Sequence, residues 1–177
     1  MPNPIAYISL GSNWGDSRRI LREAVTRLES LSDEPLQRSS LWQTTPVDCP
    51  PGSPLFLNAV VGLRTRAGET PETLVEKLQA LEREFGRRPK KILNEPRPLD
   101  LDLICHGDEV RSDAGLVLPH PRAHLRRFVL QPLAEIAPDL KLIGRPETVR
   151  ELLAGLPPGD EEVTQAAGAS WSIFGER

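Results

Sequence analysis

The sequence has little cysteine, no long apolar run and no excess of basic charge. Its only cysteines, Cys49 and Cys105, are too few for a disulfide framework, and they do not form a pair at zinc-site spacing. No apolar run approaches the roughly 18 residues of a membrane span, and no signal-peptide pattern opens the chain. We therefore expect a cytoplasmic protein with reduced thiols and no membrane partner.

The charge balance excludes another class of partner. The 22 Lys and Arg residues against 25 Asp and Glu residues give a net charge of −3. Such a chain has no broad basic field to attract nucleic acid, so an anionic ligand must meet a local cluster of cations. What the sequence does have in excess is proline, with 18 residues gathered between periodic segments, which predicts long, stiff loops.

Hydrophobic periodicity predicts an α+β protein with a ferredoxin-like split βαβ antiparallel sheet. A length of 177 residues favours one domain, which we place at residues 1–155, with a loosely ordered tail at 156–177. The predicted strands are 5–10, 36–44, 55–63 and 99–105. The predicted helices are 16–31, 71–85, 126–136 and 147–153. The order strand, helix, strand, strand, helix, strand puts two helices on one face, and we expect the C-terminal helices to cover part of the other.

Alternation in two strands gathers polar side chains on one face. Leu57 and Leu101 belong to apolar sets that should face the helices, so the residues between them point the other way. The opposite face then carries Phe56, Asn58, Asp100 and Asp102. Carboxylates two residues apart lie about 7 Å from each other and suit a pair of divalent cations. The alternative is plain alternation in a half-solvated strand, with Asn58 a buried structural amide.

A basic segment enters the same strand end. Its cations are Arg87, Arg88, Lys90, Lys91 and Arg97. Cations beside metal-binding carboxylates favour a phosphate ligand, although a solvated run of charge is the alternative. No Walker motif is present, so side chains must build the phosphate site. His120 and Arg126 would add donors, but an isolated histidine is more often structural.

Five motifs together resemble the 6-hydroxymethyl-7,8-dihydropterin pyrophosphokinase family of folate biosynthesis, over about residues 5–153. The motifs are Y-I-S-L-G-S-N at 7–13, W-Q-T-T-P-V at 42–47, F-L-N-A-V-V at 56–61, E-P-R-P-L-D-L-D-L at 95–103 and L-P-H-P-R at 118–122. The resemblance implies pyrophosphoryl transfer from ATP to the pterin hydroxymethyl group, with release of AMP. It also implies two Mg²⁺ ions as cofactors. The chain departs from many members of the family at Asn94 and Glu95, from some members at Pro89, and from the family pattern at Pro121.

The resemblance also implies roles for individual residues. Asp100 and Asp102 match the metal ligands and, with Arg87 and Arg97, the catalytic set. The positions that match pterin contacts are Thr45, Pro46, Val47, Phe56, Asn58 and Phe128. The positions that match ATP contacts are Gln79, Glu82, Arg87, Lys90, Arg97, Leu103, His120 and Arg126.

Two other functions fit parts of the pattern. A nucleotidyltransferase or glycosyltransferase could use the Asp-x-Asp pair for a nucleotide's metal, and a ferredoxin-like sensor domain could bind a small molecule without catalysis. The transferase would form a product different from that of a pyrophosphokinase, and the sensor domain would form no product. We expect a monomer whose partners are ATP and a dihydropterin.

Overall fold

An antiparallel sheet is the centre of the computed structural model, which describes residues 2–45, 50–87, 95–159 and 163–166. The strands are β1 (Ile5–Ser12), β2 (Gln37–Arg38), β3 (Trp42–Thr44), β4 (Phe56–Arg64), β5 (Asp100–His106), β6 (Arg111–Asp113), β7 (Leu116–Leu118) and β8 (Val163–Gln165). The helices are α1 (Ser17–Glu29), α2 (Pro71–Glu84), α3 (Arg127–Ile136) and α4 (Val149–Ala154). The sheet order is β5-β1-β4-β3-β8, β2 pairs with β4, and β6 and β7 form a separate hairpin. This is the predicted α+β split βαβ arrangement.

Helices α1 and α2 begin at polar caps and pack on one face of the sheet. At the start of α1, the side chain of Asp16 accepts a hydrogen bond from the backbone N–H of Arg19. At the start of α2, Thr70 precedes Pro71 and forms a capping box with Thr73. The leucine stripes of both helices meet the apolar residues of the strands in a first core cluster. Burial of these stripes, rather than helix propensity, supplies most of the stability of such helices.

The other face of the sheet carries α3 and α4. Val129 and Leu133 of α3 and Val149 of α4 pack with Val60 and Ile104 in a second core cluster. The C-terminal helices therefore cover part of the face that the first two helices leave open, as the sequence predicts.

A β-bulge in β5 overturns one prediction. The alternation Leu99, Leu101, Leu103, Cys105 predicts one shared face, but Tyr7 pairs with Cys105 while Ile8 pairs with Leu103. Ile104 is the extra residue, and it reverses the alternation, so Cys105 lies in the second core cluster rather than with the leucines. Cys105 is buried as expected, and burial raises the pKa of its thiol to about 12.

Two more local predictions are wrong. Leu55 lies before β4 and is 47% exposed, so it is not part of the core. The single strand predicted at 36–44 is two short strands, β2 and β3. Between them the N–H of Ser39 donates to the carbonyl of Val60 at 3.0 Å, and the N–H of Val60 donates to the Ser39 hydroxyl at 2.9 Å, so a side chain replaces one backbone acceptor of the ladder.

Two elements have no counterpart in the sequence analysis. One is the β6–β7 hairpin, and the other is β8, which lies within the segment expected to be a loose tail. Strand β8 pairs antiparallel with β3, and the N–H of Ala166 donates to the carbonyl of Leu41 at 3.1 Å. Within the ranges that the structure describes, no helix has the length and apolar content needed to span a bilayer.

Replacing a core leucine should measure how far the fold depends on α2. Leu78 is 2% exposed in the first core cluster, so Leu78→Ala should lower the free energy of unfolding by about 2–5 kcal/mol through lost burial and a cavity. Urea denaturation measures the difference. Leu125→Ala is the matched control, because Leu125 is 64% exposed and its loss should change stability by no more than about 0.5 kcal/mol. Equal effects of the two substitutions would contradict this view of the core.

Candidate active site

The strand register brings the predicted polar residues onto one face. Gly11 of β1 lies opposite Asn58 of β4 on one side and opposite Asp100 of β5 on the other, and Ser9 lies opposite Asp102. Residues directly opposite in neighbouring strands point to the same face, so the amide and both carboxylates share a surface. This surface is on the side of the sheet that carries α3, since Val60 of the second core cluster is also opposite Ser9.

Asp100 lies between two arginines. Its Oδ1 accepts Nη1 of Arg87 at 2.7 Å, and its Oδ2 is 3.9 Å from Nε of Arg97. The same Nη1 of Arg87 lies 3.2 Å from Oε2 of Glu82, and that oxygen also accepts the N–H of Leu101 at 2.7 Å. Of the basic residues predicted to share this strand end, Arg87 and Arg97 do lie beside the Asp100 carboxylate.

Two acidic groups of the site, Asp102 and Glu82, have raised pKa values. Burial, followed by repulsion from Asp100, raises the pKa of Asp102 to about 6, although the positive charges of Arg126, Arg87 and Arg97 oppose the shift. Burial likewise raises the pKa of Glu82 to about 7. Carboxyl groups this close together in a buried setting favour the arrival of another positive charge.

Arg97 is positioned by a residue that the sequence analysis did not single out as functional. The side-chain oxygen of Asn13 accepts the N–H of Arg97 at 2.9 Å, and the N–H of Asn13 donates to the carbonyl of Arg97 at 3.1 Å. The Arg97 guanidinium lies 5.7 Å from the centre of the Phe56 ring, and its buried Nε has no hydrogen-bond partner. The only sequence signal for Asn13 is its place at the end of Y-I-S-L-G-S-N.

Asn58 is oriented by its neighbours. It is 3% exposed, and its Nδ2 donates to the hydroxyl of Thr44 at 2.8 Å. A Cβ at Gly11 would lie 3.1 Å from the Asn58 Oδ1, so a glycine leaves room for this amide. The bond to Thr44 uses one amide hydrogen, and the amide can still donate a second hydrogen and accept at its oxygen.

His120 and Arg126 border the site from the segment before α3. His120 Nδ1 accepts the N–H of Arg122 at 3.1 Å, and burial together with the charges of Arg126 and Arg122 lowers the pKa of His120 to about 4. The imidazole is therefore neutral near pH 7 and carries its proton on Nε2, as a donor. The guanidinium of Arg126 lies 5.4 Å from the centre of the Phe128 ring.

The remaining predicted contacts are placed less directly. Gln79 is exposed on α2, one turn before Glu82, and Thr45 is half-buried just after β3. The side chain of Leu103 packs in the first core cluster, on the face opposite to Asp102, so only its backbone is available to a ligand on the site's face. Pro46, Val47 and Lys90 lie outside the described residues, as do Arg88, Pro89, Lys91 and Asn94.

Comparison with known proteins gives consistent matches. The family model described as 7,8-dihydro-6-hydroxymethylpterin-pyrophosphokinase (HPPK) matches residues 7–138. The chain is 40% identical over 157 residues to the 2-amino-4-hydroxy-6-hydroxymethyldihydropteridine pyrophosphokinase of Methylorubrum extorquens, covering 89% of this chain and 96% of that protein. It is 41% identical over 134 residues to the protein of the same name from Synechocystis sp., covering 76% of this chain and 67% of that one.

Some of the similar proteins are much longer than this chain. It is 37% identical over 138 residues to the folic acid synthesis protein fol1 of Pneumocystis carinii, which covers 78% of this chain but only 18% of the fungal protein. A crystal structure of HPPK-DHPS in complex with substrates has a TM-score of 0.67 at 14% identity, covering 87% of this chain and 43% of that one. The Plasmodium falciparum wild-type HPPK-DHPS structure has a TM-score of 0.65 at 14% identity, covering 86% of this chain and 41% of that one. At that identity the structural matches show the fold alone.

The resemblance implies that Asn58 binds a pterin ring, so crowding its amide should weaken the binding of a dihydropterin. In Gly11→Ala the new methyl group would press on the Asn58 Oδ1, which cannot move away freely because Nδ2 is bonded to Thr44. We expect the KM for the dihydropterin to rise about tenfold, a penalty of about 1.4 kcal/mol, with a smaller change in the KM for ATP. Steady-state kinetics measures both constants.

Gly115→Ala is the matched control for this substitution. A Cβ at Gly115 would meet no atom within 4 Å, so both KM values should stay at the wild-type level. An unchanged pterin KM in Gly11→Ala would contradict the role given to the amide.

Proposed function

This chain belongs to the 7,8-dihydro-6-hydroxymethylpterin-pyrophosphokinase family, and from that premise we propose how its residues carry out the family's reaction. The chain transfers the pyrophosphoryl group of ATP to the hydroxymethyl group of 6-hydroxymethyl-7,8-dihydropterin in folate biosynthesis, and AMP is the other product. We assign the reaction to the face shared by Asn58, Asp100 and Asp102. The observation that supports this assignment is that β4, β1 and β5 align these three residues beside Arg97.

We propose Asp100 and Asp102 as the protein ligands of two Mg²⁺ ions. Carboxylate oxygens are hard ligands that suit Mg²⁺, and the burial and repulsion that raise the pKa of Asp102 would be relieved by a cation. In the described part of the chain, no three His, Cys, Asp or Glu side chains converge as a metal site, so substrate phosphates and water would supply the other ligands, as is usual for Mg²⁺. Bound Mg²⁺ would neutralise phosphate charge and orient the phosphate oxygens.

The arginines of the site are proposed to bind the phosphates of ATP. Arg97 has a buried Nε without an acceptor, and a phosphate oxygen would satisfy it. Arg87 is paired with Asp100 and Glu82, but a guanidinium has five N–H donors and can serve a phosphate as well. Both groups would stabilise the charge that develops on the transferred group and on the departing AMP.

The other ATP contacts are proposed on both sides of these arginines. His120 would donate from its neutral Nε2 and Arg126 would add a positive charge. The further proposed contacts are Gln79, Glu82, Lys90 and the backbone of Leu103.

The pterin is proposed to lie against Asn58. An amide that both donates and accepts matches the hydrogen-bonding edge of a pterin ring, and Phe56 and Phe128 would enclose the flat ring. The loop residues Thr45, Pro46 and Val47 complete the proposed contacts. The monomeric state and the cytoplasmic location stay predictions from the sequence.

Neutralising either aspartate should stop the reaction without unfolding the protein. Asp100→Asn and Asp102→Asn keep the side-chain shape and remove the charge, so we expect AMP formation to fall at least about 100-fold, a loss of about 2.7 kcal/mol or more of transition-state stabilisation. Chromatography of AMP measures the rate. Urea denaturation checks the fold.

Asp113→Asn is the control for both variants, because Asp113 is an exposed aspartate of the β6–β7 hairpin. It should leave the rate unchanged. AMP formation at the wild-type rate in either active-site variant would overturn the assignment of the site.

Metal dependence of nucleotide binding tests the cation proposal separately from turnover. A non-hydrolysable ATP analogue should bind the wild-type protein at least about tenfold more tightly with Mg²⁺ than with EDTA, because the carboxylates repel phosphate until a cation lies between them. Asp100→Asn should reduce this difference. Isothermal titration calorimetry measures the Kd values, and equal affinities with and without Mg²⁺ in the wild-type protein would contradict the proposal.

A further inference from the structure

A carboxylate on α3 accepts three hydrogen bonds from the short segment that leads into β3. Oε1 of Glu135 accepts the N–H of Ser40 at 3.0 Å and Nε1 of Trp42 at 2.6 Å, and Oε2 accepts the Ser40 hydroxyl at 2.8 Å. Hydrogen bonds to an ionised acceptor are stronger than neutral ones. Three of them on one side chain tie the helix to the strand at this point.

The two elements that Glu135 joins carry, or hold in place, residues on two walls of the proposed pterin pocket. Phe128 lies on α3 seven residues before Glu135, which is two helical turns, so both side chains project from the same side of the helix. On the other element, Thr44 of β3 holds the amide of Asn58, and Trp42 lies directly opposite Asn58 in the sheet. The distance between the walls therefore depends on how α3 sits against β3.

The C-terminal strand supports the same segment from its other side. Nε2 of Gln165 in β8 donates to the Ser40 hydroxyl at 3.2 Å, and the N–H of Ala166 donates to the carbonyl of Leu41. The Ser40 hydroxyl thus accepts from β8 and donates to Glu135. This places α3, β3 and β8 in one hydrogen-bonded unit.

We propose that Glu135 is a positioning residue for the pterin pocket, holding the wall that carries Phe128 at a set distance from the wall that carries Thr44 and Asn58. The inference rests on the proposed site of pterin binding. Glu135 acts through Ser40 and Trp42 rather than by touching the substrate. Its loss should therefore weaken the pterin more than the nucleotide. The proposed phosphate contacts Arg87 and Arg97 lie on other elements, and of the proposed nucleotide contacts only Arg126, at the start of α3, and His120 before it lie next to the helix.

The test compares two substitutions at this position. Glu135→Ala removes all three acceptor contacts and should raise the KM for the dihydropterin about tenfold at saturating ATP and Mg²⁺, with kcat and the Kd of a non-hydrolysable ATP analogue within about twofold of wild type. In Glu135→Gln the KM for the dihydropterin should stay close to the wild-type value, because the glutamine Oε1 can still accept hydrogen bonds from Ser40 and Trp42. A general loss of stability would not produce this split between the two substrates or the rescue by glutamine.

Two further variants keep the result interpretable. Asp139→Asn is the control, since Asp139 is an exposed carboxylate just past α3 that forms a surface ion pair with Arg150 at 3.2 Å. The pterin KM of this variant should stay at the wild-type value. Trp42→Phe keeps an aromatic ring and removes one donor to Glu135, so it should raise the pterin KM by about threefold. It tests the same contact if Glu135→Ala does not fold.

The outcomes separate this inference from the proposed pocket. A pterin KM in Glu135→Ala and Trp42→Phe equal to that of the control, or an equal weakening of pterin and nucleotide, would overturn the positioning role. Asn58→Ala serves as the reference for the pocket itself. If Asn58→Ala weakens pterin binding and Glu135→Ala does not, only the positioning role is wrong, whereas an unchanged affinity in Asn58→Ala would mean that the pocket is misassigned.

Discussion

The pairing of β1 with both of its neighbours is the constraint on which the site depends. Gly11 lies opposite Asn58 in β4 and opposite Asp100 in β5. This one position of the central strand therefore aligns the residue proposed to bind the pterin with a residue proposed to bind the metal. The apolar residues on the reverse of the same strands hold this register, because a slip of one residue would turn them to the polar face. The core and the catalytic face are therefore two consequences of one alternation.

The electrostatics of the site suit a protein that binds phosphates and cations together. Asp100 and Asp102 share a partly buried surface with Arg87 and Arg97, and the raised pKa of Asp102 reflects a negative charge held with little water. The acids do not satisfy every donor of the arginines, since the buried Arg97 Nε has no hydrogen-bond partner. In the proposed reaction, ATP with Mg²⁺ would bring charges of both signs to these groups. The arrangement of charged side chains therefore suits pyrophosphoryl transfer.

The position of α3 on the second face of the sheet depends on different interactions from those that align the strands. The strands are tied to one another by backbone ladders, whereas α3 contacts the sheet through apolar side chains of the second core cluster and through Glu135. The helix also carries Phe128 of the proposed pocket. Apolar packing of Val129 and Leu133 in the second core cluster holds the helix against the sheet. The bonds from Glu135 to Ser40 and Trp42 are directional, and β8 braces the segment they hold. The C-terminal strand is thus part of the frame around the site.

The sequence by itself determined the split βαβ order, the polar face of Asn58, Asp100 and Asp102, and, through the P-R-P-L-D-L-D-L stretch, the family. These depend on period-two and period-3.6 patterns and on local motifs, which one segment contains in full. Only the tertiary structure decided that Ile104 forms a bulge and turns Cys105 to the other face, that Asn13 holds Arg97 across 84 residues, and that Glu135 reaches Ser40 across 95. Hydrogen bonds between distant segments depend on where the folded chain brings them, and no local pattern encodes that distance.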